Sequence, residues 1–272
     1  MITIKQLEDV TIVRMARTIL GKPIYFTAGF LVDDLLIDTG PAVLEKAYLR
    51  ALPFDCVRLI VNTHAHEDHI GNDAVLQEKY GLPIQAFSLA VPLIENPKWL
   101  HEQFYRRQTW GVPRPSHAEP IGRFVQTRRF RFRVVYLPGH SPADITLFEP
   151  DKGWAFTGDL FIRGKDVVLH KESDIGLMMQ SLKKLRALKP RLIFPGSGNP
   201  ILNPVEELDK KIHNLESLKR QILELHKNGK TIHAIRKMLF PKIPFLMRIS
   251  FGDYSSENLI RSFIVQAGGN RI

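Results

Sequence analysis

The sequence predicts an α/β protein (α+β by strand arrangement), a four-layer αββα sandwich with a C-terminal helical extension. Three features lead there: two separate β-rich runs, helical stretches flanking each run, and a change to helix-only periodicity after Pro204. In the first run, residues 10–14, Tyr25–Leu31 and Leu35–Asp38 read as antiparallel strands around an Asp33-Asp34 turn. Pro41–Leu52 reads as a helix carrying apolar Val43, Leu44, Ala47 and Leu52, with Pro53 as its stop. Val57–Asn62 is short and β-branched, the pattern of a buried strand. A helix then starts near His69 or Asn72 and ends at Gly81, and Ile84–Phe87 is a further strand.

The second run comprises Phe130–Tyr136, Ile145–Phe148 and Trp154–Thr157, the last two joined through Pro150-Asp151-Lys152-Gly153. Asp174–Leu188 reads as a helix and Arg191–Phe194 as a final strand. Between the runs, Ser88–Gly122 is rich in Pro and aromatics, including Trp99, Phe104, Tyr105 and Trp110. A patternless segment of this length is expected to act as a lid or insertion that shapes a pocket. The competing reading is a pair of short helices with their aromatics in the core. Past Pro204, Val205, Leu208, Ile212, Leu215, Ile222 and Leu225 recur at three- and four-residue steps, and shorter helices follow at Thr231–Leu239 and Ser255–Val265. The expected domains are therefore residues 1–203, with the insertion at 88–122, and residues 204–272.

Composition narrows the function classes. At 272 residues and 44% hydrophobic content the chain can bury a large core. No apolar stretch approaches the roughly 20 residues of a membrane span, so no membrane partner is expected. Lys5, Glu8, Asp9 and Arg14 interrupt any signal-peptide core, and the single Cys56 suits a reducing cytoplasm. No feature sets an oligomeric state. The net charge of +10 favours anionic partners. Thr127–Arg133 looks at first like a nucleic-acid tract, but in a strand Arg129, Arg131 and Arg133 share one face and Phe130, Phe132 and Val134 the other. That is the pattern of a half-solvated strand.

Chemistry concentrates in Thr63-His64-Ala65-His66-Glu67-Asp68-His69-Ile70-Gly71-Asn72, directly after the buried strand. Neutral imidazole and carboxylate suit a divalent transition metal. His64 and His66, two apart, project alike from an extended loop, while Asp68 and His69 can face a second position.

His-x-His-x-Asp-His resembles the metal-binding signature of the metallo-β-lactamase-fold hydrolases, and three further segments follow the family's order. Leu137–Asp144 resembles its Gly-His-(Ser/Thr)-Pro segment, which implies that His140 completes a first metal site. Phe156-Thr157-Gly158-Asp159-Leu160 resembles its Thr-Gly-Asp segment, whose Asp bridges two metals. Leu35–Gly40 is similar to its early Ile-Asp-Thr-Gly strand, which implies that Asp38 supports a ligand from behind; a capping role before Pro41 is the other reading of Asp38. One departure stands out: the family's Pro-Gly-His-Gly segment reads Pro195-Gly196-Ser197-Gly198 here, so Ser197 occupies the place of an imidazole ligand.

The resemblance thus implies His64, His66, His140 and Asp159 around one ion, and Asp68, His69 and Asp159 around a second, weakened by Ser197. His170 is the nearest substitute by sequence. One or two ions, foremost Zn2+ with Mn2+ or Fe2+ as alternatives, would activate a water for hydrolysis, with Asp68 as the proton-transfer group. The expected function is a cytoplasmic metal-dependent hydrolase of a small, anionic ester, thioester or lactone. Glyoxalase II-like, lactonase-like and nuclease-like members are not separated by these motifs, because the fold hosts many chemistries. The alternatives are a phosphodiesterase or ribonuclease acting on nucleic acid, and a non-hydrolytic mononuclear iron member or metal-binding scaffold.

Overall fold

The computed structural model describes residues 1–98, 103–162, 164, 166–243 and 245–268; Trp99 of the aromatic segment lies outside them. In chain order the strands are β1 (Ile2–Leu7), β2 (Val10–Met15), β3 (Thr18–Ile19), β4 (Lys22–Pro23), β5 (Thr27–Val32), β6 (Leu35–Ile37), β7 (Leu59–Asn62), β8 (Ile84–Ala86), β9 (Glu119–Pro120) and β10 (Phe124–Gln126). They continue with β11 (Arg131–Tyr136), β12 (Ile145–Glu149), β13 (Trp154–Gly158), β14 (Leu169–His170), β15 (Leu192–Pro195), β16 (Ile201–Leu202) and β17 (Tyr254–Ser255). The helices are α1 (Glu45–Tyr48), α2 (Asp73–Tyr80), α3 (Val91–Glu95), α4 (Phe104–Trp110), α5 (Ile175–Ala187), α6 (Val205–Lys227), α7 (Ile232–Leu239), α8 (Phe245–Ile249) and α9 (Ser256–Gln266). No described helix is long and apolar enough to cross a membrane.

The chain divides into two compact units. The first comprises Met1–Tyr136, Ala143–Ile162 and Arg191–Leu202, and the second Leu137–Pro142, Arg163–Pro190 and Asn203–Ile272. The helices after residue 203 therefore share a unit with α5 and with the 137–142 loop.

The first unit holds both main sheets, ordered β1-β2-β5-β6-β7-β8-β9 and β10-β11-β12-β13-β15-β16. Side chains alternate along each strand with period two, and the alternation sorts them into two cores. Along β2, Val10 and Ile12 point between the sheets, whereas Val13 and Met15 point to the helix-covered face. Along β6, Leu35 and Ile37 go inward and Leu36 outward. The core between the sheets is aromatic: Phe30 meets Phe156 and Phe194 edge-on at 5.4 and 5.7 Å, and Phe156 stacks on Phe194 at 4.6 Å. On the outer face of the first sheet, Tyr48, Phe54, Leu76 and Ile94 form the second core. Strand β5 is buried along its whole length, as expected of a strand covered on both faces.

Direction matters for the site. The β6/β7 and β13/β15 pairs run parallel, so each presents two adjacent C-terminal ends, where loops can aim side chains at one point. Strand β11 alternates as the sequence predicts, with Arg131 and Arg133 exposed and Phe132 buried. Arg131 lies over the Phe124 ring at 4.1 Å, and Arg129 pairs with Asp9 at 2.7 Å.

Two local expectations differ from the structure. The helix expected over 41–52 is a 3-10 turn, Ala42–Leu44, followed by the four-residue α1. Leu44, at φ −107° and ψ 9°, leaves helical geometry between the two pieces. Strand β1 was not expected; it pairs along the whole of β2 and its residues are half-buried or exposed, so it carries a weak apolar signal. The aromatic segment contains α3, α4 and β9, with Tyr105 and Trp110 buried and Phe104 exposed.

In the second unit α5, α6 and α9 pack on one another. Helices α5, α7 and α9 each begin at a side-chain cap: Asp174 accepts from Gly176 N and Leu177 N, Thr231 from Ala234 N, and Ser255 from Asn258 N. The stripe read from the sequence buries Leu208, Ile212, Leu215 and Ile222 of α6.

Candidate metal centre

The β6/β7 ends build one wall of the site. Asp38 follows β6 with a left-handed φ of 57°, a strained conformation for a residue with a side chain. Its carboxylate explains why that conformation is held: Oδ1 accepts from Thr63 N at 2.8 Å, and Oδ2 accepts from Thr63 Oγ1 at 2.8 Å and faces His69 Nδ1 at 2.8 Å. One side chain thus locks both strand ends and an imidazole. No side-chain capping bond is made at the 3-10 turn after Pro41.

The histidine loop is pinned through its backbone. His69 N donates to His66 O at 2.9 Å, Thr39 N to His69 O at 2.8 Å, and Thr27 Oγ1 to Asp68 O at 3.1 Å. Within it, His64 Nε2 lies 3.0 Å from His66 Nδ1, and His64 Nδ1 lies 3.1 Å from Thr63 Oγ1. Because the Thr63 hydroxyl gives its proton to Asp38, it can only accept from His64, which fixes the proton on His64 Nδ1 and leaves Nε2 as a lone pair.

The same logic applied to His69 exposes the chemistry of the site. With Nδ1–H directed at Asp38, Nε2 is the nitrogen left for a proton or a metal; it is buried and has no hydrogen-bond partner. It faces Asp159 Oδ1 at 3.6 Å and Asp68 Oδ2 at 3.8 Å. Leaving a buried polar group unpartnered costs about 1–3 kcal/mol, and turning lone pairs toward one another adds to that. Only a cation or a proton relieves the arrangement. His64, His69 and Asp159 each offer a ligand atom within 4.8 Å of the others, so the residues present fit a divalent cation.

The charge states report the same crowding. Burial, opposed by His69 and reinforced by Asp159 and Glu67, pushes Asp68 up to about 7. Burial works against the charged form of His69, yet Asp38, Asp68 and Asp159 together raise its pKa well above the ordinary value.

The other expected residues fall as follows. Asp159 directly follows β13 and is buried. Ser197 is half-buried on the turn after β15, where its carbonyl accepts from Arg14 Nε at 3.0 Å and Gly198 N donates to Pro195 O at 2.8 Å. Gly196 is required there: a Cβ would lie 2.2 Å from Asp159 Oδ1 and 2.9 Å from His69 Cε1. His140 sits in the 137–142 loop of the second unit at 9% exposure. His170 is buried in β14 of that unit, packed on the Tyr254 ring at 4.9 Å.

Two groups carry no sequence signal of their own. Glu67, inside the histidine loop, is gripped by Arg106 of α4 through Nε–Oε1 at 2.6 Å and Nη2–Oε2 at 2.7 Å, both side chains buried. Behind His69, Thr39 Oγ1 and Asn62 Nδ2 donate to Asp73 Oδ1 at 2.7 and 3.3 Å. Burial, against those two bonds, pushes Asp73 up to about 8. Asp73 Oδ2 is buried without a hydrogen-bond partner.

A family model described as the metallo-beta-lactamase superfamily matches residues 30–197. A hydroxyacylglutathione hydrolase from Haemophilus influenzae is 30% identical over 137 residues, 47% of this chain, and the chain spans 61% of that relative's length. A beta-lactamase-like protein 2 homolog from Caenorhabditis elegans is 25% identical over 83% of this chain and 73% of its own. Among solved structures, a metallo-beta-lactamase family protein from Thermus thermophilus superposes with a TM-score of 0.71 at 18% identity, covering 96% of this chain and 95% of that one.

Proposed function

Because the chain belongs to the metallo-β-lactamase superfamily, we propose that it is a metal-dependent hydrolase acting on a small anionic ester, thioester or lactone. The observation that carries this reading is the bare His69 Nε2, walled by two carboxylates and unrelieved by any hydrogen bond. His64, His66, His140 and Asp159 would hold one ion; Asp68, His69 and Asp159 would hold another, with Ser197 leaving one position to solvent. Three imidazoles and a carboxylate make the first set suited to Zn2+, and Mn2+ or Fe2+ would suit the same donors. A divalent ion supplies Lewis acidity, polarising the scissile carbonyl and bringing the pKa of a water to about 7.

The chain's own residues do the rest. Thr63 and Asp38 keep His64 and His69 in the tautomers that present Nε2 to the centre. With the first ion alone bound, Asp68, whose pKa burial pushes up to about 7, would be free to take the proton of the attacking water and return it to the leaving group. Support for a thioester comes from the Haemophilus influenzae relative, named for hydroxyacylglutathione hydrolysis. The net charge of +10 favours an anionic substrate. Arg128 and Arg129 are turned against Asp33, Asp34 and Asp9, so the basic tract is partly neutralised within the chain and the nucleic-acid reading stands second. The lone Cys56, exposed and unpaired, suits a reducing compartment such as the cytoplasm.

The test is metal analysis of protein purified without chelator, followed by assay against thioesters, lactones and RNA. One to two ions per chain and turnover of a thioester or lactone are expected. Absence of any ion ends the hydrolase reading, and RNA cleavage alone replaces it with the nuclease.

A further inference from the structure

We propose that the C-terminal segment β17–α9 is a positioning device for His140, acting through the turn at residues 169–176. This rests on the reading above that His140 is a metal ligand. All of the contacts lie within the second unit.

The His140 loop is held by three consecutive carbonyls. Pro138 O accepts from Ser181 Oγ at 2.7 Å, Gly139 O from Asp174 N at 2.8 Å, and His140 O from Ser173 Oγ at 2.6 Å. Gly139, at φ 146°, lies so close to α5 that a Cβ there would be 2.3 Å from Met178 N. A loop pinned at three successive residues has little freedom left, so the point from which the His140 side chain projects follows from the position of the turn.

That turn is in turn set by the C-terminus. Leu169 and His170 pair with Ser255 and Tyr254. Asn258 Nδ2 shares its two N–H groups among Leu169 O, Gly252 O and Asp253 O at 3.2, 3.1 and 3.0 Å, tying β14 and the residues leading into β17 to the first turn of α9. Lys171 N donates to Asp253 O at 2.8 Å, and Ile175 N to Ser262 Oγ at 3.1 Å. Gln266 Nε2 donates to Asp174 Oδ1, the oxygen that also caps α5. Residues 169–176 are thus bonded on one side to the His140 loop and on the other to β17 and α9. Ser173 and Asn258 are the positioning residues of this relay. Removing groups that orient a ligand from behind typically weakens metal binding 10–100-fold.

The experiment uses the full chain with Zn2+ or Co2+ alone. Zn2+ affinity is measured by competition with a chelator, Co2+ coordination by its visible absorption, and folding by circular dichroism. His140→Ala is the reference and should abolish the Co2+ signature of the first site. Ser173→Ala should weaken Zn2+ binding about tenfold and Asn258→Ala at least about threefold, with altered Co2+ spectra and native circular dichroism. Ser173→Thr, which keeps the hydroxyl, should restore both readouts. If His140→Ala leaves the spectrum unchanged, the ligand assignment fails. If His140→Ala changes it while Ser173→Ala binds as wild type, the relay is overturned although the ligand assignment survives. Wild-type Zn2+ binding in a folded Asn258→Ala overturns the role of the C-terminal segment; should that variant not fold, Ser262→Ala, which removes the acceptor of Ile175 N, takes its place under the same criterion, and equal losses in Ser173→Ala and Ser173→Thr overturn the role of the hydroxyl.

Discussion

Two of the parallel strand pairs of the first unit, β6/β7 and β13/β15, end in loops of opposite construction. After β6 and β7, side chains do the work: Asp38 and Thr63 orient imidazoles, and the backbone of residues 66–69 is bonded back on itself and to Thr39 and Thr27. After β13 and β15, backbone does it: Gly196 approaches Asp159 and His69 so closely that no Cβ fits, and the Ser197 carbonyl is taken by Arg14. The first loop gathers donor atoms that suit a cation, whereas the second closes the space beside Asp159 with a glycine and carries Ser197 half-buried on its turn. A cation site can therefore be asymmetric by design of its walls before any ion enters.

The largest effect should come from breaking the first loop. His66→Ala should reduce metal content by at least one ion per chain and lower hydrolysis more than about a hundredfold, since loss of a ligand exceeds loss of its supporting partner. Retained activity would remove this loop from the centre. Next in size is the buried ion pair behind it. Arg106→Ala leaves Glu67 charged and uncompensated and should destabilise the protein by about 3–5 kcal/mol in denaturant unfolding, while the double variant Glu67→Leu with Arg106→Met should recover much of that. A loss below about 1 kcal/mol would mean that water reaches Glu67.

A third test concerns pH. Asp73, ordinarily near 3.8, is pushed up to about 8, so between those values the native state holds a proton that the unfolded chain has released. Stability from this group is complete at low pH and is lost as pH rises through the folded pKa. The thermal midpoint should fall from pH 6 to pH 8, and Asp73→Asn should shrink that fall; an unchanged difference would place the titration elsewhere. The smallest change is expected on the second loop. Ser197→His should bring metal content closer to two ions per chain with little change in the first site, and an unchanged count would show that another residue already completes the second.

Much of this was legible from sequence because it is periodic or local. The alternation in β2, β6 and β11, the caps of α5, α7 and α9, and the His-x-His-x-Asp-His loop each lie within one short window. What escaped depends on distant partners. Arg106 stands 39 residues from Glu67 in a segment whose aromatics suggested a lid, and nothing local distinguishes it from a surface arginine. Strand β1 hides because an edge strand need not be apolar. The helix expected at 41–52 obeyed a real apolar spacing, but Leu44 breaks it where the chain turns over the sheet. Gly196 was read as part of a motif, and its steric necessity appears only with Asp159 beside it.

The Glu67–Arg106 clasp carries a practical corollary for anyone wishing to alter what this protein accepts. Grafting a foreign 88–122 segment from a relative would discard the guanidinium and strand an anion next to the histidines, so such chimeras are expected to fail for reasons unrelated to substrate fit. Transplants that keep α4 and exchange only the stretches on either side of it leave that clasp intact, so they separate loss of the ion pair from any effect on substrate choice.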